Sequence, residues 1–168
     1  MAIELNPDYA NAYNNRGNIQ RALGIPSEAL QSYEKACTLN PNDADVYVNM
    51  GIALSDLKMA ESALDCYDKA IGLNPRSAEA FNNRGNTLKD LRRLGDATES
   101  YRTAFALQPS LLDAFLNLAI TLTDMRRFDE ALECYGKVLY TRPDFAKAYL
   151  NRGLTLMEMR RFDEALAD

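Results

Sequence analysis

The stretch Asn14-Asn15-Arg16-Gly17 decides the fold, because related stretches return along the chain at one fixed interval. They are Val48-Asn49-Met50-Gly51, Asn82-Asn83-Arg84-Gly85, Leu116-Asn117-Leu118-Ala119 and Leu150-Asn151-Arg152-Gly153. Each begins 34 residues after the previous one, and its second residue is always asparagine. A fixed period of this length indicates stacked supersecondary units, each packed mainly against its neighbours.

The repeat divides the whole chain into units. Residues 1–9 match the end of a unit, since Leu5-Asn6-Pro7 corresponds to Leu39-Asn40-Pro41. We therefore predict a single array spanning residues 1–168. Its full units are 10–43, 44–77, 78–111 and 112–145, and a partial unit occupies 146–168.

Each unit has the pattern of two helices. In the second unit, Val46, Met50 and Leu54 recur at helical spacing, which predicts a first helix. A short break follows near Lys58, and a second helix ends before Pro75, because proline disfavours the helical conformation at the residue before it. Mid-helix glycines at 17, 51, 85 and 153 each cost about 1 kcal/mol relative to alanine. We expect them to allow two helices to approach closely, with alanines at 29, 63, 97, 131 and 165 as the complementary small surface.

Composition excludes several classes of function. The 168 residues carry a net charge of −5, which does not favour nucleic-acid binding, and no apolar run is long enough to span a membrane. The N-terminus as written lacks the pattern of a signal peptide. Together with three cysteines and no C-x-x-C pair, this predicts a reduced, cytoplasmic setting. The chain itself could be a fragment of a longer array.

The sequence also predicts no catalysis, no metal and no cofactor. Histidine, the commonest general base and zinc ligand, is absent from the chain. No phosphate-binding loop or paired nucleophile and base can be found. The carboxylates sit at repeated surface positions, whereas catalytic pairs occur once.

The order and period of these residues resemble the tetratricopeptide repeat family. Its pattern places an aromatic residue, leucine and glycine in the first helix, and alanine, an aromatic residue and proline further on. Here arginine replaces the leucine at Arg16, Arg84 and Arg152, and we expect its stem to cover apolar surface. The resemblance implies an all-α, right-handed superhelical solenoid of antiparallel helix pairs. It also implies a concave face, lined by first helices, that holds a partner protein, often as an extended peptide.

Residues at i, i+4, i+7 and i+11 share one face of a helix, which gives each first helix one stripe. The stripes contain an asparagine ladder: Asn15, Asn49, Asn83, Asn117 and Asn151. An amide both donates and accepts hydrogen bonds, so a ladder of amides suits a peptide backbone of any sequence. The alternative is that these amides only tie neighbouring helices together. A similar ladder occurs in the repeat region of O-linked N-acetylglucosaminyltransferases, where it holds the backbone of substrate proteins.

Further polar residues flank the ladder in the same stripes, and they complete the predicted partner site: Asp45, Asp56, Asn86, Asp90 and Asp124. Carboxylates so arranged favour a partner with basic residues. Alternatively, Arg92-Arg93, Arg126-Arg127 and Arg160-Arg161 neutralise them locally. Val48 with Ile52 and Leu116 with Ile120 also predict apolar side-chain pockets in the second and fourth units.

Three hypotheses of function follow. The first is a non-catalytic scaffold that binds an extended peptide or a partner protein in the groove. The second is the substrate-presenting region of a larger glycosyltransferase. The third is a module that assembles head to tail with itself, since residues 1–9 and 146–168 are incomplete units whose lengths nearly complement each other.

Overall fold

The computed structural model describes residues 9–168, and every regular element in this range is a helix. The predicted all-α class is therefore confirmed, whereas the predicted repeat end at residues 1–8 lies outside the described part. The first helices of the units are α1 (Ala10–Ala22), α3 (Ala44–Asp56), α5 (Ala78–Asp90), α7 (Leu112–Asp124) and α9 (Ala146–Glu158). The second helices are α2 (Pro26–Leu39), α4 (Ala60–Leu73), α6 (Leu94–Leu107), α8 (Phe128–Thr141) and α10 (Phe162–Ala165).

All five first helices end in the same turn. After α3, the N–H of Lys58 donates to the carbonyl of Ser55 at 3.0 Å, and the N–H of Met59 donates to that of Leu54 at 2.9 Å. This pair of bonds is the Schellman motif, which needs a left-handed residue after the helix. That residue has φ between 58° and 76° in every unit: Gly24, Lys58, Arg92, Arg126 and Arg160.

The second helices begin and end where their prolines require. Pro26 is the first residue of α2, a position whose N–H has no acceptor within the helix. The helices α2, α4, α6 and α8 each end two residues before a proline, and these are Pro41, Pro75, Pro109 and Pro143. The helix pairs therefore follow from local chemistry at both ends.

The described residues form two compact units, one ending at Thr87 and one beginning at Leu88, with the boundary inside α5. In the first compact unit, α1 packs on α2, α2 on α3, and α3 on α4. In the second, α6 packs on α7, α7 on α8, α8 on α9, and α9 on α10. Each unit is thus built from helices that contact their neighbours in sequence.

The first-helix glycines make room for a tyrosine ring. A methyl group on Gly17 would lie 2.5 Å from Cε1 of Tyr33, and one on Gly51 would lie 2.6 Å from Cε1 of Tyr67. Both tyrosines are almost fully buried. The expectation of a close approach is correct at these two glycines, where the facing group is a tyrosine ring instead of the expected alanine; at Gly153 the nearest atom is the carbonyl oxygen of Ala165, 3.8 Å from an added methyl group.

The arginines that replace leucine are held by polar partners. Nε of Arg16 donates to Oγ of Ser32 at 2.9 Å, and its guanidinium lies 5.0 Å from the ring centre of Tyr13. Arg152 pairs in the same way with Asp168, which is also 16 residues further on. Arg16 therefore binds α2 of its own helix pair, whereas Arg84 pairs with Asp68 of α4, the second helix of the preceding repeat, at 2.7 Å.

Candidate functional site

The five ladder asparagines each lie in the middle of a first helix, and we call the side of each first helix that carries its asparagine the ladder face. Asn15 of α1 is exposed, whereas the other four are half-buried in α3, α5, α7 and α9. Asn15, Asn49 and Asn83 belong to the first compact unit, and Asn117 and Asn151 belong to the second. Each is accessible from solvent to some degree.

Asn49 is bonded to the neighbouring first helix. Its Nδ2 donates to Oδ1 of Asn14 at 3.1 Å, so an amide of α3 is tied to an amide of α1. This is the contact expected from the alternative hypothesis, in which the asparagines join consecutive repeats. It leaves the carbonyl oxygen of Asn49 available to another group.

The remaining ladder residues differ from Asn49. In the described range, the side chains of Asn15 and Asn83 form no hydrogen bond with another residue. Nδ2 of Asn151 donates to the carbonyl of Lys147 in its own helix at 2.7 Å. Asn117 also has an interaction partner. The ladder is therefore uneven in its bonding, although it is uniform in sequence.

A second polar position on the ladder face forms a hydrogen bond with a buried tyrosine. The hydroxyl of Tyr33 in α2 donates to Oδ1 of Asn18 in α1 at 2.8 Å. This bond satisfies a buried phenol, which also lies near the guanidinium of Arg21. Asn86 occupies the corresponding position of α5, and it too has an interaction partner.

The predicted acidic residues lie on the surface of the first helices. Asp45 is in the first turn of α3, and Asp56, Asp90 and Asp124 are the last residues of α3, α5 and α7. All four are exposed, and none forms an ion pair within residues 9–168. The last three also sit at the negative end of a helix dipole, so no helix N-terminus offsets their charge.

The second arginine of each predicted pair binds a carboxylate outside the ladder face. Arg93 pairs with Asp96 at 3.0 Å, and Arg127 pairs with Glu130 at 2.6 Å, in each case in the first turn of the following second helix. Arg161 pairs with Glu164 in the same way. Hydrogen bonds from Arg127 lower the pKa of Glu130 below its usual value. In these three places local neutralisation acts on second-helix carboxylates, and not on those of the ladder face.

Asp56 lies close to two buried phenols. Burial raises the pKa of the Tyr33 and Tyr67 hydroxyl groups. Arg21 acts in the opposite direction on the pKa of Tyr33, as do hydrogen bonds with Ser55 and Thr87 on that of Tyr67, and the negative charge of Asp56 raises both by a smaller amount. Tyr33 comes from α2 and Tyr67 from α4, so the carboxylate at the end of α3 acts on the tyrosines of both adjacent second helices.

The predicted apolar pockets are not formed by Val48 or Leu116. Val48 is 4% exposed and packs with Ala70 and Ala80, and Leu116 is fully buried. Ile52 is half-buried and packs against the same cluster as Val48. The alternation of polar and apolar residues at these positions reflects packing between consecutive repeats, so the pocket prediction was wrong for Val48 and Leu116.

Sequence reasoning missed a set of bonds between hydroxyl groups. Ser55 and Thr87 lie 3.1 Å apart, oxygen to oxygen, and Thr123 and Thr155 lie 2.9 Å apart. Both pairs join first helices of consecutive repeats and span 32 residues. The recurrence of hydroxyl residues 32 positions apart is the signal of these bonds in the sequence.

The cysteines fit the predicted role as small core residues. Cys66 and Cys134 are buried, and Cys37 is half-buried, all three as free thiols. Burial raises the pKa of Cys66 and of Cys134 to about 11. Among residues 9–168, no three His, Cys, Asp or Glu side chains are grouped as metal ligands would be. Within the same residues, none of the helices has the length and apolarity to cross a membrane.

The sequence matches profiles of one repeat family over most of its length. A profile described as Tetratricopeptide repeat matches residues 10–43 and 44–77. Two further profiles with the same description match residues 78–111 and 116–168. The matched segments leave only residues 1–9 and 112–115 uncovered.

Solved structures with the same architecture are numerous. A crystal structure of MamA is 26% identical, with a TM-score of 0.83 over 94% of this chain and 86% of that one. The crystal structure of YrrB, reported as a TPR protein with an unusual peptide-binding site, is 26% identical, with a TM-score of 0.79 over 99% of this chain and 86% of that one. PilF of Pseudomonas aeruginosa is 23% identical, with a TM-score of 0.85 over 94% and 72% of the two chains, which shows likeness of fold alone. No curated protein matches the sequence.

Proposed function

Because the chain belongs to the tetratricopeptide repeat family, we propose that it is a non-catalytic scaffold whose ladder face binds an extended, basic segment of a partner protein. The first helices supply the contacts, and the second helices support them from behind. The bound segment lies across successive first helices, so that the amides meet its backbone and the carboxylates meet its lysine or arginine side chains. YrrB, with its reported peptide-binding site, supports the choice of a peptide as ligand.

One observation carries the proposal, namely the unpaired carboxylates of the ladder face. Asp45 and Asp56 are exposed in the same compact unit and form no ion pair in the described range, while Arg93 and Arg127 are paired elsewhere. Carboxylates on one face repel each other, and a cationic partner relieves that repulsion. The charge pattern therefore selects basic peptides and accelerates their association.

The spacing of the repeats suits an extended chain. Packed helices lie about 8–10 Å apart, and an extended chain advances about 3.3 Å per residue. Successive first helices thus meet about every third peptide residue. Side chains between these contacts point elsewhere, which makes the binding tolerant of sequence and dependent mainly on backbone and charge.

The experiment is a selection of dodecapeptides from a random phage-displayed library on the folded protein. We expect enrichment in lysine and arginine, and a dissociation constant for the best synthetic peptide that rises with salt. Asp56→Asn should raise the dissociation constant of this peptide about threefold, since one exposed charge pair contributes up to about 1 kcal/mol.

The matched control is Asp65→Asn, which removes an equally exposed carboxylate from the second helix α4. It should leave the affinity unchanged. Selected peptides without basic residues, or equal losses in both variants, would contradict the proposal. A substrate-presenting region of a larger glycosyltransferase would use the same face, so the same peptide measurement bears on that alternative.

Self-association is a second candidate because α9 exposes an apolar stripe. Leu150, Leu154 and Met157 are 64%, 50% and 53% exposed and follow one side of the helix. Exposed apolar patches of this kind occur at protein–protein interfaces. Light scattering should then show a molar mass that rises with protein concentration. In Leu154→Glu the mass should be that of one chain. A mass of one chain at every concentration of the wild-type protein would exclude self-association.

A further inference from the structure

We propose that the asparagine ladder contains two classes of residue, so that Asn83 and Asn15 contact a bound peptide while Asn49 holds adjacent repeats together. This inference rests on the proposed function of the ladder face and adds which of its amides recognise the ligand. The two classes are indistinguishable in the repeat pattern. They differ in what the preceding first helix offers to each amide.

Asn49 has a partner within the protein. Its Nδ2 donates to Oδ1 of Asn14 at 3.1 Å, which joins α3 to α1. The bond uses one donor and orients the amide plane, so Asn49 is not free to turn toward a peptide backbone. Removing one member of such a partly buried pair leaves the other without its partner, which makes the bond structural.

Asn83 occupies the same position one repeat later, but the preceding first helix offers it an apolar residue in place of an amide. The residue that corresponds to Asn14 is Val48, which is buried with Ala70 and Ala80 and offers no acceptor. Asn83 is half-buried, and its side chain forms no hydrogen bond with residues 9–168. The amide of Asn83 therefore keeps its donors and its acceptor for other groups, and an extended peptide offers a matching acceptor and donor.

Asn49 and Asn83 differ in the residue 35 positions earlier, which is Asn14 for Asn49 and Val48 for Asn83. Asn14 binds the amide of Asn49, whereas Val48 has no polar side-chain group to offer Asn83. Asn15 is exposed and without a hydrogen-bond partner in the described range, so it joins Asn83 in the ligand-binding class.

The consequence for the ligand is a longer interval between backbone contacts. Asn15 and Asn83 are two repeats apart in the same compact unit. At about 8–10 Å per packed helix, they are separated by about five or six residues of extended chain. The exposed carboxylates Asp45 and Asp56 of the intervening helix α3 are then left to bind the basic side chains between those contacts.

The experiment compares Asn83→Ala with Asn49→Ala, using as probe the fluorescein-labelled dodecapeptide selected on the wild-type protein. Asn83→Ala should raise the dissociation constant about tenfold, the effect of one or two lost hydrogen bonds, and leave the urea midpoint unchanged. Asn49→Ala should keep the dissociation constant within about twofold and lower the urea midpoint. Asn14→Ala should lower the midpoint equally, and the Asn14→Ala, Asn49→Ala double variant should lower it no more than about as much as either single change.

A backbone-modified probe tests the contact itself. N-methylation of the peptide bond that meets Asn83 should weaken binding to the wild-type protein but cause no further loss in Asn83→Ala. Equal losses of affinity in Asn49→Ala and Asn83→Ala would overturn the inference while the proposed function stands. The same holds if neither change matters but Asp56→Asn weakens binding. If no selected peptide responds to Asn83→Ala or to Asp56→Asn, both the inference and the proposed function fail.

Discussion

Gly17 and Gly51 lie where a methyl group would enter the ring of a buried tyrosine. We predict that Gly17→Ala destabilises the protein by about 1–3 kcal/mol, because Tyr33 has no space into which to retreat. The measurement is urea unfolding followed by circular dichroism. Gly72→Ala is the matched control, since nothing lies within 4 Å of the added methyl group and alanine favours the helix by about 1 kcal/mol. A neutral or stabilising Gly17→Ala would show that the tyrosine can shift.

The three thiols should react at different rates. Burial raises the pKa of Cys66 and Cys134 to about 11, so the reactive thiolate is scarce at neutral pH, and both side chains are shielded. We predict that a thiol-specific chromogenic reagent labels Cys37 first and the other two only on unfolding. The count of released chromophore with and without denaturant measures this. Rapid labelling of all three thiols in the folded protein would contradict it.

At the residue scale, the sequence predicted the position of each ladder asparagine but not its bonding. A helical stripe follows from spacing alone, which is why Asn49 and Asn83 both lie on the accessible side of a first helix. The bond from Asn49 to Asn14 depends on how two helices from different repeats pack, and no local rule contains that information. The same reason explains why Val48 was expected in a pocket and lies in the core.

At the scale of the element, each first helix ends on a residue in the left-handed conformation. Glycine takes this conformation without strain at Gly24, but Lys58 takes it with φ of 64°, at a cost of about 1 kcal/mol. We predict that Lys58→Gly stabilises the protein by about 0.5–1 kcal/mol, and that Gly24→Ala destabilises it by a similar amount. Urea midpoints of the two variants check both signs. A destabilising Lys58→Gly would mean that the lysine side chain contributes more than the strain costs.

The first turns of the second helices carry ion pairs that respond to pH. Arg127, with Arg102, lowers the pKa of Glu130 in the folded protein, so this pair contributes stability above the unfolded-state pKa of about 4.3. That contribution is lost as the pH falls through the lower folded-state pKa. We predict that Glu130→Gln reduces the loss of stability between neutral and acid pH. Thermal unfolding across this range measures it, and parallel curves for variant and wild type would contradict the pairing.

The helices themselves were largely predictable from local chemistry. The breaks near Gly24, Lys58 and Arg92 and the ends before the prolines lie where the pattern placed them. What the pattern did not contain was the group that faces each mid-helix glycine. A small residue indicates close packing, but only the structure shows that the neighbour at Gly17 and Gly51 is a tyrosine ring rather than an alanine.

At the scale of the whole molecule, the repeats alternate in character. Residues 16 apart in the first and second helices are Arg16 with Ser32 in one repeat and Met50 with Cys66 in the next. The first pair is hydrogen-bonded, and the second pair is apolar. The same alternation separates Asn14 from Val48 and thereby divides the ladder. The whole array is therefore best described as repeats in pairs, each member with its own side-chain contacts.

The most direct test of the account is the nuclear magnetic resonance spectrum of the asparagine side-chain amides, recorded with and without the selected basic dodecapeptide. We predict that the amide signals of Asn15 and Asn83 shift on saturation, with smaller changes at Asn49. Asn40 and Asn74 serve as internal references, since each follows a second helix and accepts a bond from the backbone two residues on. Shifts at Asn40 and Asn74, with Asn15 and Asn83 unchanged, would place the peptide elsewhere and contradict binding at the ladder face.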